Sequence, residues 1–191
     1  MKKYRTFIII MVLIALGVLY YYYLSSNNRT TTGKKKNVKS ETEELLEVDL
    51  ERDYPGTPRD VVDYYSRIII CCYQEKHDEE EIEKIAKQSL VLFDEDLSQQ
   101  NPLEKYVRNL TAEIQQYREE KKHISNYIIE RSGEVEFKTF QGHYYAKVEC
   151  AYYVKGEETT SRTLETYTLR KDSSGRWKIL YWELTPVEET E

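Results

Sequence analysis

The first forty residues of this 191-residue chain contain no acidic side chain, and cysteine and histidine are scarce throughout, with three of each. Three cysteines are few for an exported disulfide scaffold, and none stands in a C-x-x-C pair that would mark a zinc or redox site. The histidines, His77, His123 and His143, are scattered singly, so no two share metal-ligand spacing. No nucleotide-binding loop, nucleophile elbow or zinc motif occurs, and no cofactor is expected. A length of 191 residues accommodates one domain with extensions rather than a multidomain enzyme.

What is present is unevenly placed. Residues 1–40 hold eight Lys and Arg, which leaves 20 of the 28 basic residues against all 34 acidic ones in residues 41–191. The net charge of −6 is therefore a +8 head on a −14 body. So acidic a body is a poor nucleic-acid partner, because binding requires a basic footprint that neutralises phosphates.

From Phe7 to Leu24 the chain runs for eighteen residues without a charge. At about 1.5 Å per residue this approaches the roughly 30 Å of a bilayer core, and a single transmembrane helix is expected over 7–24. Tyr20 to Tyr23 fit the aromatic belt at a headgroup boundary. A cleaved signal peptide, with Ala15-Leu16-Gly17 as its small-residue site, is the competing reading. The expected topology has residues 1–6 as a cytoplasmic stub and the body outside the cell membrane, since long C-terminal domains translocate largely regardless of flanking charge. A flexible tether is expected over 25–53, polar at first, with a capping-box match at Ser40 and Glu43 that would start a short helix. Within it Lys34, Lys35 and Lys36 form either a solvated charge run or a contact with anionic membrane surface.

An α+β domain is expected over 54–186, followed by an acidic tail at 187–191. Thr57 with Asp60, Asp78 with Glu81 and Asn101 with Glu104 each place a capping side chain three residues before an acid. Pro58 and Pro102 sit where a first helical residue needs no N–H. Apolar residues then recur at helical spacing: Val61, Val62, Tyr65, Ile68 and Cys72 in the first helix, Ile82, Ile85, Ala86 and Phe93 in the second, and Leu103, Tyr106, Leu110 and Ile114 in the third. After His123 the period changes to two, and strands are expected near 124–131, 134–140, 143–154, 161–171 and 176–184. Short turns between them imply an antiparallel meander, so about three helices should pack on a curved sheet of four to five strands.

Cys72 and Cys150 read as small core hydrophobes or, alternatively, as a helix-to-sheet disulfide. Eighteen tyrosines are many, and strand alternation sends Tyr145 and Tyr153 to the face opposite Tyr144 and Tyr152. Tyr145, Tyr153, Trp177 and Tyr181 are the candidate partner surface on the outer face.

Tyr54-Pro55-Gly56-Thr57-Pro58-Arg59-Asp60-Val61-Val62, opening the first helix, and Gly175-Arg176-Trp177-Lys178-Ile179-Leu180-Tyr181-Trp182, in the last strand, carry a resemblance. This order of helices followed by long strands resembles the nuclear-transport-factor-2-like superfamily, a cystatin-like α+β cone. More narrowly, the chain is similar to single-span membrane proteins of Clostridia-type Gram-positive bacteria. The resemblance implies a cone between helices and sheet that is either filled or ligand-bearing, and its enzymatic members place a carboxylate or an Asp/His pair inside. Here the strands hold Glu130, Glu134, Glu136, Glu149, Glu165 and Glu183, but no Asp outside the Asp172 turn, so no catalytic residue is assigned. The function expected is a non-catalytic interaction or assembly domain at the cell envelope, with the membrane and an envelope protein or a second copy as partners. A small-ligand sensor using the cone is the alternative, and a small enzyme a more remote one.

Overall fold

The computed structural model describes residues 40–185. The expected span at 7–24, the lysine cluster Lys34, Lys35 and Lys36, and the 187–191 tail lie outside these residues. Among the described residues no helix is long and apolar enough to cross a membrane.

Folded structure begins earlier than the tether reading allows. Ser40 and Glu43 close a full capping box, and helix α1 runs over Glu41–Leu46. Leu45 and Leu50 are buried, and the Tyr64 hydroxyl donates to the Leu45 carbonyl at 2.7 Å. Gln88 Nε2 reaches the carbonyls of Leu45 and Val48, at 3.1 and 2.8 Å. Residues 40–53 thus belong to the body rather than to a flexible tether over 25–53, because Leu45 on the capped helix and Leu50 in the turn after it give the segment a core to join.

Helix α2 spans Pro58–Gln74, with Thr57 accepting from the Asp60 N–H and Pro58 in the first turn. Its apolar stripe is buried as the spacing predicts, but burial extends further round, to Tyr64, Ser66 and Cys71. Helix α3 follows at Glu79–Leu92 with a complete Asp78/Glu81 capping box. The third expected start differs. Asp94, not Asn101, caps a short helix α4 at Glu95–Gln100, and the long helix α5, Leu103–Glu119, begins after Pro102 with no side-chain cap. Asn101 instead turns back to donate to the Leu97 carbonyl at 3.0 Å. The body therefore has five helices among the described residues, not about three.

The five strands are β1 His123–Ile129, β2 Glu136–Phe140, β3 His143–Lys155, β4 Thr160–Lys171 and β5 Trp177–Thr185. They form one antiparallel sheet in the order β1-β3-β4-β5, with β2 paired to the other half of β3. Gln141 and Gly142 both adopt positive φ, which fits the two-residue hairpin between β2 and β3 to the right-handed strand twist. The helices cover one face. Val148, Leu169 and Ile179 of the sheet meet Leu92, Val61 and Val62 there, all without solvent exposure, each contributing about 1.5–3 kcal/mol by burial. Phe93 bridges Ile179, and the Asp94 N–H donates to the Ile179 carbonyl at 2.8 Å, which ties the α3–α4 junction to β5.

A β-bulge in β5 rearranges its side chains. Thr168 pairs with Tyr181 but Leu169 pairs with Ile179, so Leu180 is an extra residue. Since one inserted residue inverts alternation, Tyr181 lies on the outer face while Ile179 and Trp177 turn to the helix-covered side. Trp177 is 8% exposed, with its ring 5.9 Å from that of Phe137. It is therefore buried and does not belong to an outer partner surface. All three cysteines are buried and free, so Cys72 and Cys150 form no disulfide.

Candidate functional site

The space enclosed between the helices and the inner sheet face is not completely filled. A cavity of about 230 Å³ lies between α2, α5 and the inner rows of β3 and β4. Alternation on β4 puts Thr163, Glu165, Tyr167 and Leu169 on one face, and the pairing of Cys150 with Glu165 places Glu165 beside the buried half of β3. From α2 come Tyr65 and Tyr73, and from α5 come Tyr106, Glu113 and Tyr117. Trp182 of β5 joins them, stacked on Tyr167 with ring centroids 6.0 Å apart. In all, the lining includes six tyrosines, one tryptophan and two glutamates, and no lysine, arginine or histidine.

Glu165 stands at the end of a chain of hydroxyls. The Tyr167 hydroxyl donates to Glu165 Oε2 at 2.7 Å. A phenol has one proton, so the 2.9 Å contact between Tyr152 and Tyr167 runs from Tyr152, and the 2.7 Å contact between Ser66 and Tyr152 runs from Ser66. The Cys150 thiol closes the series at 3.6 Å from Ser66 Oγ. Every donor therefore points along one path towards the carboxylate. Among the described residues Glu165 Oε1 receives no protein donor, and it is not sealed from the cavity.

The electrostatics follow from that arrangement. Burial raises the proton affinity of Glu165, the Tyr167 hydrogen bond opposes the shift, and the Glu113 charge adds to it. Tyr65, Tyr152 and Tyr167 are pushed far above the ordinary phenol value, first by burial. Tyr106 is pushed up to about 12, mainly by burial, against the opposing influence of the Tyr65 and Ser89 hydroxyls. Cys150 and Cys72 rise to about 11 and about 12 for the same reason, so both are inert thiols rather than nucleophiles.

The opposite sheet face carries a second depression, of about 580 Å³, between β2 and β5. Phe140, Tyr145, Leu180 and Tyr181 line it, with Lys138 and Lys147 alongside. Thr168, 5% exposed, forms part of its wall, and its hydroxyl is a buried polar atom with no partner. Of the four outer-surface candidates, the structure brings Tyr145 and Tyr181 together here. Tyr153 lies eight residues along β3 from Tyr145, roughly 27 Å at strand rise, and Trp177 is buried. Glu149 and Lys147 are exposed, as strand alternation predicts. His77 is fixed by its Nε2, which donates to the Cys71 carbonyl at 2.9 Å, while His143 is exposed. Among the described residues no group of three or more His, Cys, Asp or Glu could hold a metal ion.

Sequence reasoning misses the inner site, although a signal for it exists. Glu165 shares parity with Tyr167 and Leu169, so a carboxylate on the core-facing row is recognisable once β4 is known to bury its odd residues.

A family model described as Domain of unknown function (DUF6715) matches residues 1–182. No curated protein matches the chain.

Proposed function

Taking as premise that the chain belongs to the DUF6715 family, we propose that it is a small-ligand-binding domain that works through the cavity between helices and sheet and is held outside a cell membrane by the apolar segment 7–24. The observation that carries this reading is Glu165, a half-buried carboxylate with one oxygen open to a cavity and a single protein donor on the other. A cavity of about 230 Å³ is costly to leave inside a core. Apolar side chains would close it more stably than a carboxylate does, so polar groups converging on unfilled space mark a binding site. The resemblance to the nuclear-transport-factor-2-like cone supports the same reading, since ligand-bearing members use this space. Binding rather than turnover is favoured because the lining offers proton acceptors and high-affinity phenols, with no basic residue beside them.

A second reading, an assembly domain contacting an envelope protein, draws on the outer groove. Exposed Phe140 and Tyr181 flank it, together with the unpartnered Thr168 hydroxyl. The two are separated by a ligand-observed NMR screen of a mixed fragment library against the full chain in lipid nanodiscs, repeated with Asn109→Phe to plug the inner cavity and with Tyr181→Ser on the outer face. Fragments displaced by Asn109→Phe and indifferent to Tyr181→Ser are the expected result. Fragments that respond only to Tyr181→Ser, or none that respond to the plug, would reject the inner cavity as the site.

A further inference from the structure

We propose that the cavity ligand is a small organic ammonium ion, recognised by the carboxylates of Glu165 and Glu113 and by the aromatic rings around them; this rests on the reading of the cavity as a ligand site. Charge sign comes first. The lining contains two carboxylates and no lysine, arginine or histidine, so an anion entering would meet only like charge. Lys122 bears on one lining residue, Tyr117, at the outer end of α5. A −14 body adds a field that concentrates cations and repels anions.

The wall points the same way. Tyr65, Tyr167 and Trp182 pack against one another at ring separations of 5.8–6.0 Å, and Tyr73 pairs with Tyr117 at 4.6 Å. Aromatic groups on several sides with a carboxylate among them is the arrangement that desolvates an ammonium ion while replacing its water with ring quadrupoles and a counter-charge. A neutral ligand would leave Glu165 and Glu113 repelling each other without compensation, whereas a cation between them removes that repulsion. Burial first, and then the Glu113 charge, raise the proton affinity of Glu165, and a cation between the two carboxylates would offset that second contribution.

Size narrows the ligand. About 150 Å³ is enough to admit benzene, and sites for drug-sized molecules start at about 300 Å³. At about 230 Å³ this cavity takes a ligand between those limits, in the range of a small protonated primary amine or a quaternary ammonium ion.

The test is a titration of the full chain in lipid nanodiscs with choline and with 3,3-dimethylbutan-1-ol, its uncharged counterpart of the same shape, read by the fluorescence of Trp182 in a Trp177→Phe background. Choline should bind at least about tenfold more tightly than the alcohol. Glu165→Gln should remove about tenfold or more of the choline affinity and leave that of the alcohol unchanged, and Glu113→Gln should act in the same direction, which keeps the test intact if one variant folds poorly. Equal affinity for the two probes, or a choline affinity indifferent to both substitutions, overturns recognition of charge while leaving the cavity a ligand site. No binding of either probe also overturns it, and the fragment screen with the Asn109→Phe plug then decides separately whether the cavity binds anything.

Discussion

The two faces of one sheet each carry an aromatic-lined depression, and they differ in how their polar groups are satisfied. On the inner face the hydroxyls of Ser66, Tyr152 and Tyr167 are each hydrogen-bonded, and the chain they form ends on one carboxylate. On the outer face the Thr168 hydroxyl is buried with no partner, while Lys138, Lys147 and Glu136 surround it with mixed charge. Hydrogen-bonded order around a single sign of charge is what selective ligand binding requires. A mixed-charge groove with one orphan group is suited to contact and has little means of choosing a ligand by charge.

The sharpest way to probe this contrast is to truncate one apolar side chain on each face. Leu169→Ala, at a fully buried inner position, should cost about 3 kcal/mol in urea unfolding. Phe140→Ala, 54% exposed beside the outer depression, should stay within about 0.5 kcal/mol. Equal losses would mean that Phe140 is covered in the folded protein.

Arg170 is the exception on the outer row. It forks onto Asp94, with its Nε at 2.9 Å, and its Nη2 also reaches Asp96 at 2.8 Å. Asp94 is 3% exposed and also caps α4. Arg170→Met should therefore cost about 2 kcal/mol in the same unfolding assay, less than for a fully buried pair because the arginine retains some solvent contact. A neutral result would show that the pair contributes nothing beyond helix capping.

Thr168→Val, which replaces the orphan hydroxyl by a methyl group of the same shape, should stabilise the protein by about 1 kcal/mol. Destabilisation would reveal a partner for that hydroxyl and weaken the contrast between the faces.

Glu165→Gln should give a smaller gain at neutral pH, since Oε1 remains open to the cavity. The folded protein holds the Glu165 proton more tightly than the unfolded chain, so between the ordinary glutamate value and the raised one it binds more protons, and stability falls as pH rises through that window. The substitution should flatten that fall in a pH series of unfolding curves. An unchanged slope would assign the pH dependence to other groups.

Much of this architecture is legible in the amino-acid sequence. The Ser40, Thr57 and Asp78 caps are where their spacing places them, and turn residues such as Gln141-Gly142 mark the hairpins, because caps and turns are local and their chemistry is written in adjacent residues. What is not legible depends on contacts distant in sequence. Asp94 rather than Asn101 caps the helix after α3 because Arg170, seventy-six residues away, holds the Asp94 carboxylate in place. Alternation alone groups Trp177 with Tyr181, and only the pairing with β4 reveals the extra Leu180 that separates them. Glu165 is visible as a strand carboxylate, but the direction it faces is set by which row of β4 the helices cover.

The most direct test of an acidic, cation-accepting cavity is a side-chain carboxyl titration of Glu165 by carbon-13 NMR in the full chain, with and without tetramethylammonium. The expected midpoint lies above the ordinary glutamate value and moves down when the cation is added. A midpoint at or below that value, unmoved by the cation, would contradict both the raised proton affinity and the proposed recognition of charge.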